Sequence, residues 1–201
     1  SGGAEMRLSC STRNDMQPNA SGGLLASGAT DPHYSLSGPI NNPVTAAVVV
    51  NPSTYPANGP WLRDSASLAS QWIGPIENFD SRSYPGSAGN YDYVLTVTAE
   101  AGDTVSGRWA SDNTSNILLN AVSTSNSITS RTSSDFNSWH PFTITGFGLG
   151  TNTITFRVNN ESDGPTGLRV EFVTPEPAGL FLVGAALAGA GLVARRRKSQ
   201  G

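Results

Sequence analysis

Cysteine is nearly absent from this sequence, with Cys10 the only one in 201 residues. A single thiol excludes an internal disulfide and a multi-cysteine zinc cluster. Its place in a polar N-terminal stretch makes it an incidental thiol. Histidine is almost as scarce. His33 and His140 are the only two, which leaves few players for metal binding or acid–base catalysis. Charged residues make up 13% of the chain, against roughly a quarter in ordinary soluble domains, so solubility leans on Ser, Thr and Asn. The basic residues are unevenly spread, because Arg195, Arg196, Arg197 and Lys198 sit together near the end. Residues 1–174 hold 8 Arg against 14 Asp and Glu, a net charge of 8 − 14 = −6. An acidic body argues against nucleic acid as a partner, since phosphate binding needs clustered Lys and Arg. Also missing are a His-Glu-x-x-His helix, a Gly-x-Ser-x-Gly elbow and a phosphate-cradling glycine loop. No basic stretch followed by an apolar run opens the chain, so an export signal is expected to have been removed or to precede this start.

What the chain does contain is punctuation, with 22 Gly and 13 Pro cutting it into short pieces suited to many strands and turns. At this length one globular domain is expected, with appendages. Residues 1–18 are polar and aperiodic and read as a disordered lead-in. The domain is expected over residues 19–173. Residues 91–98 alternate, with Tyr93, Leu95 and Val97 on one face and Asp92, Val94, Thr96 and Thr98 on the other, the period of a half-buried strand. Ile154, Phe156 and Val158 oppose Thr153, Thr155 and Arg157 in the same way, and Leu168, Val170 and Phe172 oppose Arg169 and Glu171. The Asn, Asp, Gly and Pro residues of 159–165 read as the turn of a hairpin joining these last two strands. Residues 45–50 suit a strand buried on both faces. Strands are also expected over 105–109, 117–120 and 141–145. No stretch before residue 175 shows a sustained helical repeat. The expected fold is all-β, an antiparallel β-sandwich or jelly roll, because a sheet with one apolar face needs a second layer.

The last segment, residues 174–201, differs in kind. Pro175, Glu176 and Pro177 hold the chain extended, since two prolines one residue apart fit neither a strand interior nor a helix. Residues 178–194 then carry no charged or strongly polar side chain, a run of 194 − 178 + 1 = 17. As a helix this run is about 25 Å long, at the short end of a bilayer span, and it lacks the polar face of a soluble helix. A C-terminal transmembrane helix is therefore expected. Arg195, Arg196, Arg197 and Lys198 follow as a membrane stop that stays on the cytoplasmic side, leaving the domain outside.

These three elements, in this order, resemble the PEP-CTERM sorting signal of Gram-negative bacteria. The resemblance implies an exosortase-type processing enzyme as partner. Such an enzyme reads Pro175, Glu176 and Pro177, removes the membrane span and transfers the protein to the outer envelope or an extracellular polymer. It also implies an association with exopolysaccharide and biofilm matrix. The body is similar to exported domains found ahead of this signal. The stretches that carry the likeness are Asp31-Pro32-His33-Tyr34, Gly107-Arg108-Trp109-Ala110-Ser111-Asp112-Asn113, Ile117-Leu118-Leu119-Asn120 and Pro165-Thr166-Gly167-Leu168-Arg169-Val170-Glu171. The domain type implied is a galactose-binding-like jelly roll. That group has a glycine after the asparagine where Ala121 stands here, which argues against a tight positive-φ turn at this point.

Binding has more to draw on than catalysis. Trp61, Trp72, Trp109 and Trp139, with Tyr55, Tyr84 and Tyr91, offer aromatic faces of the kind that stack on sugars, although tryptophans in a small sandwich mostly fill its core. Trp109, on an alternating strand, is expected in the core and Trp61 in a loop. Asp112, Asn113 and Asn116 offer hydrogen bonds to hydroxyls. The candidate ligand-binding set is thus Trp61, Trp72, Tyr84, Asp112, Asn113 and Asn116. Asp112, Asn113 and nearby carbonyls have oxygens of the kind calcium takes. No Asp-x-Asp-x-Asp loop accompanies them, the pair reads more simply as a turn, and no cofactor is expected. The Ser and Thr residues of 123–134 read as a solvated loop or a glycosylated one. The expected function is that of an exported, non-catalytic surface or matrix protein that binds polysaccharide. The alternatives are a secreted carbohydrate-active hydrolase and a protein permanently anchored in the membrane.

Overall fold

A computed structural model describes residues 24–63, 70–79 and 86–173. The lead-in, Tyr84 and the tail with Pro175, Glu176, Pro177, the apolar run and Arg195 to Lys198 lie outside them. Among the described residues no helix is long and apolar enough to cross a membrane. The described residues form ten strands: β1 (Thr30–Ser37), β2 (Ala46–Val49), β3 (Ile73–Gly74), β4 (Gly89–Ala99), β5 (Thr104–Asp112), β6 (Thr114–Leu119), β7 (Val122–Ile128), β8 (His140–Thr145), β9 (Gly150–Asn160) and β10 (Gly167–Phe172). One four-residue helix, α1 (Ser134–Asn137), lies between β7 and β8.

All neighbouring pairs are antiparallel, in the order β7-β6-β9-β4-β1-β2-β3-β10-β5-β8. The all-β expectation holds, and the two layers are joined into one continuous sheet. The short strands β2 and β3 carry it round the corner, pairing Val48 with Gly74 and Val49 with Ile73. The sheet folds over until its two edges meet. Asn126 on β7 donates through Nδ2 to the Thr143 carbonyl of β8 at 2.9 Å and accepts from the Thr143 amide at 3.3 Å. A side-chain amide thus stands in for a strand partner at an edge that would otherwise expose unpaired backbone.

The alternating residues meet in the enclosed interior. Tyr93, Leu95 and Val97 from β4, Ile154, Phe156 and Val158 from β9, and Leu168, Val170 and Phe172 from β10 are all buried in one cluster. Burying each such side chain contributes about 1.5–3 kcal/mol. Edge-to-face contacts tie the two sides of the fold together, Phe156 to Phe142 at 5.8 Å and Phe142 to Phe172 at 5.6 Å between ring centroids. On the outer face Arg157 makes a two-pronged contact with Asp92, both bonds 2.7 Å, from directly opposite positions on β9 and β4.

Three expectations are corrected. β9 and β10 do not form a hairpin, because β9 lies between β6 and β4 while β10 lies between β3 and β5. Their connection crosses from one side of the fold to the other. Asn160 anchors it, donating from Nδ2 to the carbonyls of Gly86 and Gly164 at 3.0 and 3.2 Å. Alternation fixes which face a strand turns inward, and it is silent about the partner. Of residues 123–134, expected in a loop, the first six belong to the polar edge strand β7. The β6–β7 turn is tight, with Asn120 and Ala121 at φ of 50° and 66°. This is the left-handed pair that a two-residue hairpin needs, and Ala121 adopts it without a glycine.

Candidate functional site

The outer face of β10 and of the last residues of β5 is covered. β5 alternates normally through Trp109 and is then buried on both faces from Ala110 to Asp112, because a second layer covers it. Residues 50–63 and 70–79 together with α1 supply that layer. Val50, Ala57, Trp61, Trp72, Phe79 and Ala110 form a separate apolar cluster, with Leu62, Ile76 and Phe136 against it. The Trp61 ring lies 4.3 Å from Trp72 and 5.8 Å from Phe79. Gly167 of β10 makes room for it, since a Cβ there would come within 2.7 Å of the Trp61 ring.

Several polar groups in this layer are paired with one another. Trp61 donates its indole N–H to Asp112 Oδ2 at 2.7 Å, and Asn113 donates Nδ2 to Asp112 Oδ1 at 2.7 Å. Burial pushes the Asp112 carboxyl up to about 7, the Trp61 N–H pulls it back, and the charge of Asp135 adds to the rise. Arg169, expected to face solvent, is only 2% exposed. It donates to Ser70 Oγ and the Leu62 carbonyl, while Ser70 donates to Glu171 Oε1 at 2.9 Å and Arg108 donates to Glu171 Oε2 at 2.7 Å. Both guanidiniums lie over the Trp139 ring, Arg108 at 4.6 Å and Arg169 at 5.2 Å from its centroid, within cation–π range.

Within this layer lies a cavity of about 220 Å³ lined by Val50, Pro52, Ala57, Asn58, Arg63, Gln71 and Trp72. Its frame is fixed by hydrogen bonds. Val50 N–H donates to the Trp72 carbonyl, Trp72 Nε1 to the Leu62 carbonyl, Asn58 Nδ2 to the Ser53 carbonyl and Arg63 to the Asn58 carbonyl, all at 2.8–2.9 Å. Gln71, 7% exposed, lines the cavity. Its Oε1 is buried and has no hydrogen-bond partner among the described residues. The other buried polar atoms in that condition are Asp31 Oδ2, Tyr34 Oη and Tyr93 Oη, which belong to β1 and β4. Burial raises both tyrosines, with Asp31 adding to Tyr34.

The structure thus divides the residues singled out in the sequence. Trp61, Asp112 and Asn113 come together, but as a bonded support, and Trp61 at 2% exposed offers no stacking face. Trp72 is 3% exposed and contributes a wall of the cavity rather than a platform. Asn116 stands apart on β6, opposite Ser127 and Arg157. Trp109 is in the core as expected, donating to Ser115 Oγ at 2.9 Å. His33 pairs with Asp31 at 2.8 Å and His140 with the Ser134 carbonyl at 2.9 Å, on different strands. No group of three or more His, Cys, Asp or Glu that could hold a metal occurs among the described residues. Gln71, Arg63 and Asn58 were not legible as a site. They sit in aperiodic segments, and the only signal was their proximity in sequence to Trp61 and Trp72.

No family model and no curated protein matches the chain. Among solved structures it is similar to a family 35 carbohydrate binding module from an environmental isolate, with 14% identity and a TM-score of 0.39 over 73% of this chain and 88% of that one. It is also similar to a CBM35 from Paenibacillus barcinonensis, at 14% identity and a TM-score of 0.35 over 73% of this chain and 96% of that one. The CBM36-1 domain of a multidomain xylanase from the hindgut metagenome of Trinervitermes trinervoides matches at 14% identity and a TM-score of 0.31, over 55% of this chain and 84% of that one.

Proposed function

We propose that the chain is an exported, non-catalytic surface or extracellular-matrix protein, delivered through its tail and binding exopolysaccharide through its β-domain. The observation that carries this reading is the ordered terminus: Pro175-Glu176-Pro177, then 17 residues without a charge, then Arg195 to Lys198. An exosortase-type enzyme reads the first element, the second holds the protein in the inner membrane until it is read, and the third fixes its orientation. After processing the domain resides in the outer envelope or matrix.

The chemistry of the cavity supports a binding role over a hydrolytic one. Glycoside hydrolysis takes two carboxyl groups facing a cleft, roughly 5–10 Å apart. None of the seven described residues lining the cavity carries a carboxylate. Among the described residues, the buried carboxylates Asp112, Asp103 and Asp135 accept from Trp61 and Asn113, from the Glu100 amide at 2.8 Å and from the Arg131 amide at 3.1 Å, while Asp31 accepts from His33 through Oδ1 alone.

Intact-mass measurement of the native protein from envelope and matrix fractions tests delivery. The expected species ends upstream of the apolar run. A mass that includes Arg195 to Lys198 in every fraction would instead mean a permanently anchored protein. Retention on the host's exopolysaccharide tests the binding half.

A further inference from the structure

We infer that the cavity beside Gln71 and Trp72 is a subsite for one neutral sugar unit, which rests on the polysaccharide binding proposed above and assigns it a place. The first ground is Gln71, a residue of the lining whose Oε1 is buried with no donor among the described residues, so that a turn of the side-chain amide would bring an unpaired acceptor to the cavity. Native proteins rarely leave a buried acceptor unpaired, and a ligand hydroxyl is a donor of the right kind. The second is the division of the walls. Val50, Pro52, Ala57 and the Trp72 indole are apolar, whereas Asn58, Arg63 and Gln71 are polar. A sugar ring has the matching two-sided character, with C–H faces and a hydroxyl-bearing edge.

Size and charge narrow the class further. About 220 Å³ is below the roughly 300–1,000 Å³ of sites for drug-sized ligands, so the space takes one ring rather than several. Among the described residues the lining has no carboxylate, as a cation site would need. A polyanion is disfavoured by the charge of −6 over residues 1–174. Arg63 also donates to the Asn58 carbonyl at 2.9 Å, and the remaining N–H groups of its guanidinium are charged donors that hydroxyls can accept. The hydrogen bonds among Val50, Trp72, Asn58 and Arg63 set the walls before a ligand arrives, which reduces the ordering cost of binding.

The test uses the full chain in a detergent without a sugar headgroup, on immobilised host exopolysaccharide separated into neutral and acidic fractions. The intact protein is expected to be retained by the neutral fraction. Gln71→Leu, which keeps the side chain's size and removes the acceptor, is expected to weaken retention about tenfold. Arg63→Gln, at an exposed position that does not put folding at risk, is expected to weaken it about threefold. Near-ultraviolet circular dichroism establishes that each variant keeps its tryptophan packing, and if Gln71→Leu does not fold, Arg63→Gln decides alone. Retention of the wild type with no loss in either folded variant overturns the subsite and leaves polysaccharide binding in place. Retention by the acidic fraction alone overturns the assignment to a neutral sugar. No retention on either fraction overturns both the subsite and the polysaccharide reading.

Discussion

Trp109 and Trp61 lie on opposite faces of the same part of the sheet, and their surroundings differ in material. Trp109 belongs to the enclosed interior, where its neighbours are Phe142 at 5.6 Å and a continuous set of aliphatic and aromatic side chains from β1, β4, β6, β8, β9 and β10. Trp61 belongs to the outer layer, where apolar rings share space with a buried carboxyl, a nearby buried guanidinium and a cavity. The interior is held by burial, which is non-directional and strong in sum. The outer layer is held by a chain of directional bonds, each of which leaves a costly orphan when broken. One region therefore makes the fold, and the other uses the fold as a platform for a cavity.

The largest test of this contrast is a truncation in the interior. Phe156 is fully buried and touches Phe142 and Phe172, so Phe156→Ala is expected to cost about 3–5 kcal/mol, measured by urea unfolding. Both regions should then melt in one transition, because the layer has no independent sheet to rest on. A separate early transition confined to tryptophan fluorescence would show that the layer unfolds by itself.

Next in size is the pH dependence of Asp112. Its folded-state value of about 7 lies above its ordinary 3.8, so the folded protein holds a proton that the unfolded chain releases. This stabilisation is complete below about pH 4, is lost as pH rises to about 7, and changes no further above that. The expected fall is a few kcal/mol at most. In Asp112→Asn, which keeps an acceptor for the Trp61 indole, stability between pH 4 and 8 should flatten. Should the wild type already be flat over that range, desolvation does not govern this carboxyl. Gly167→Ala is a smaller test. The added methyl meets the Trp61 ring and is expected to cost about 1–3 kcal/mol and to shift the near-ultraviolet tryptophan bands, while Trp109 keeps its surroundings.

The two regions also differ in how far the sequence reveals them. β4 and β9 are legible because one face meets the interior and the other is more open to water, so on β4 Tyr93, Leu95 and Val97 alternate cleanly with exposed Thr96 and Thr98. Where the outer layer covers the sheet that logic fails. Arg169 occupies an outward position and is buried nonetheless, because residues 62 and 70 close over it. Trp61 and Trp72 sit in segments without periodicity, and an aromatic residue in a loop carries no mark of which way it turns. β1 was hidden by Pro32, whose missing N–H is accommodated where the β1–β2 register shifts between Thr30 and Ser35. β7 was hidden because an edge strand that bonds through Asn126 needs no apolar alternation.

Ala121 offers the smallest effect and the sharpest separation of local from tertiary causes. It lies exposed in the β6–β7 turn, with φ of 66°. An L-residue held there costs roughly 1 kcal/mol relative to glycine, because its Cβ crowds the following carbonyl. The preceding residue, Asn120, tolerates the left-handed region well. Its side chain also accepts from the Thr153 amide and donates to Asn152 Oδ1, both at 2.9 Å. These bonds to β9 hold the turn in place in spite of Ala121. Ala121→Gly should therefore stabilise the protein by about 0.5–1 kcal/mol, offset in part by the greater freedom of glycine in the unfolded chain, with the urea m-value unchanged. A loss of stability instead would mean that the turn takes another shape in solution. Because the interior and the outer layer contribute nothing to the change, its size measures turn geometry alone.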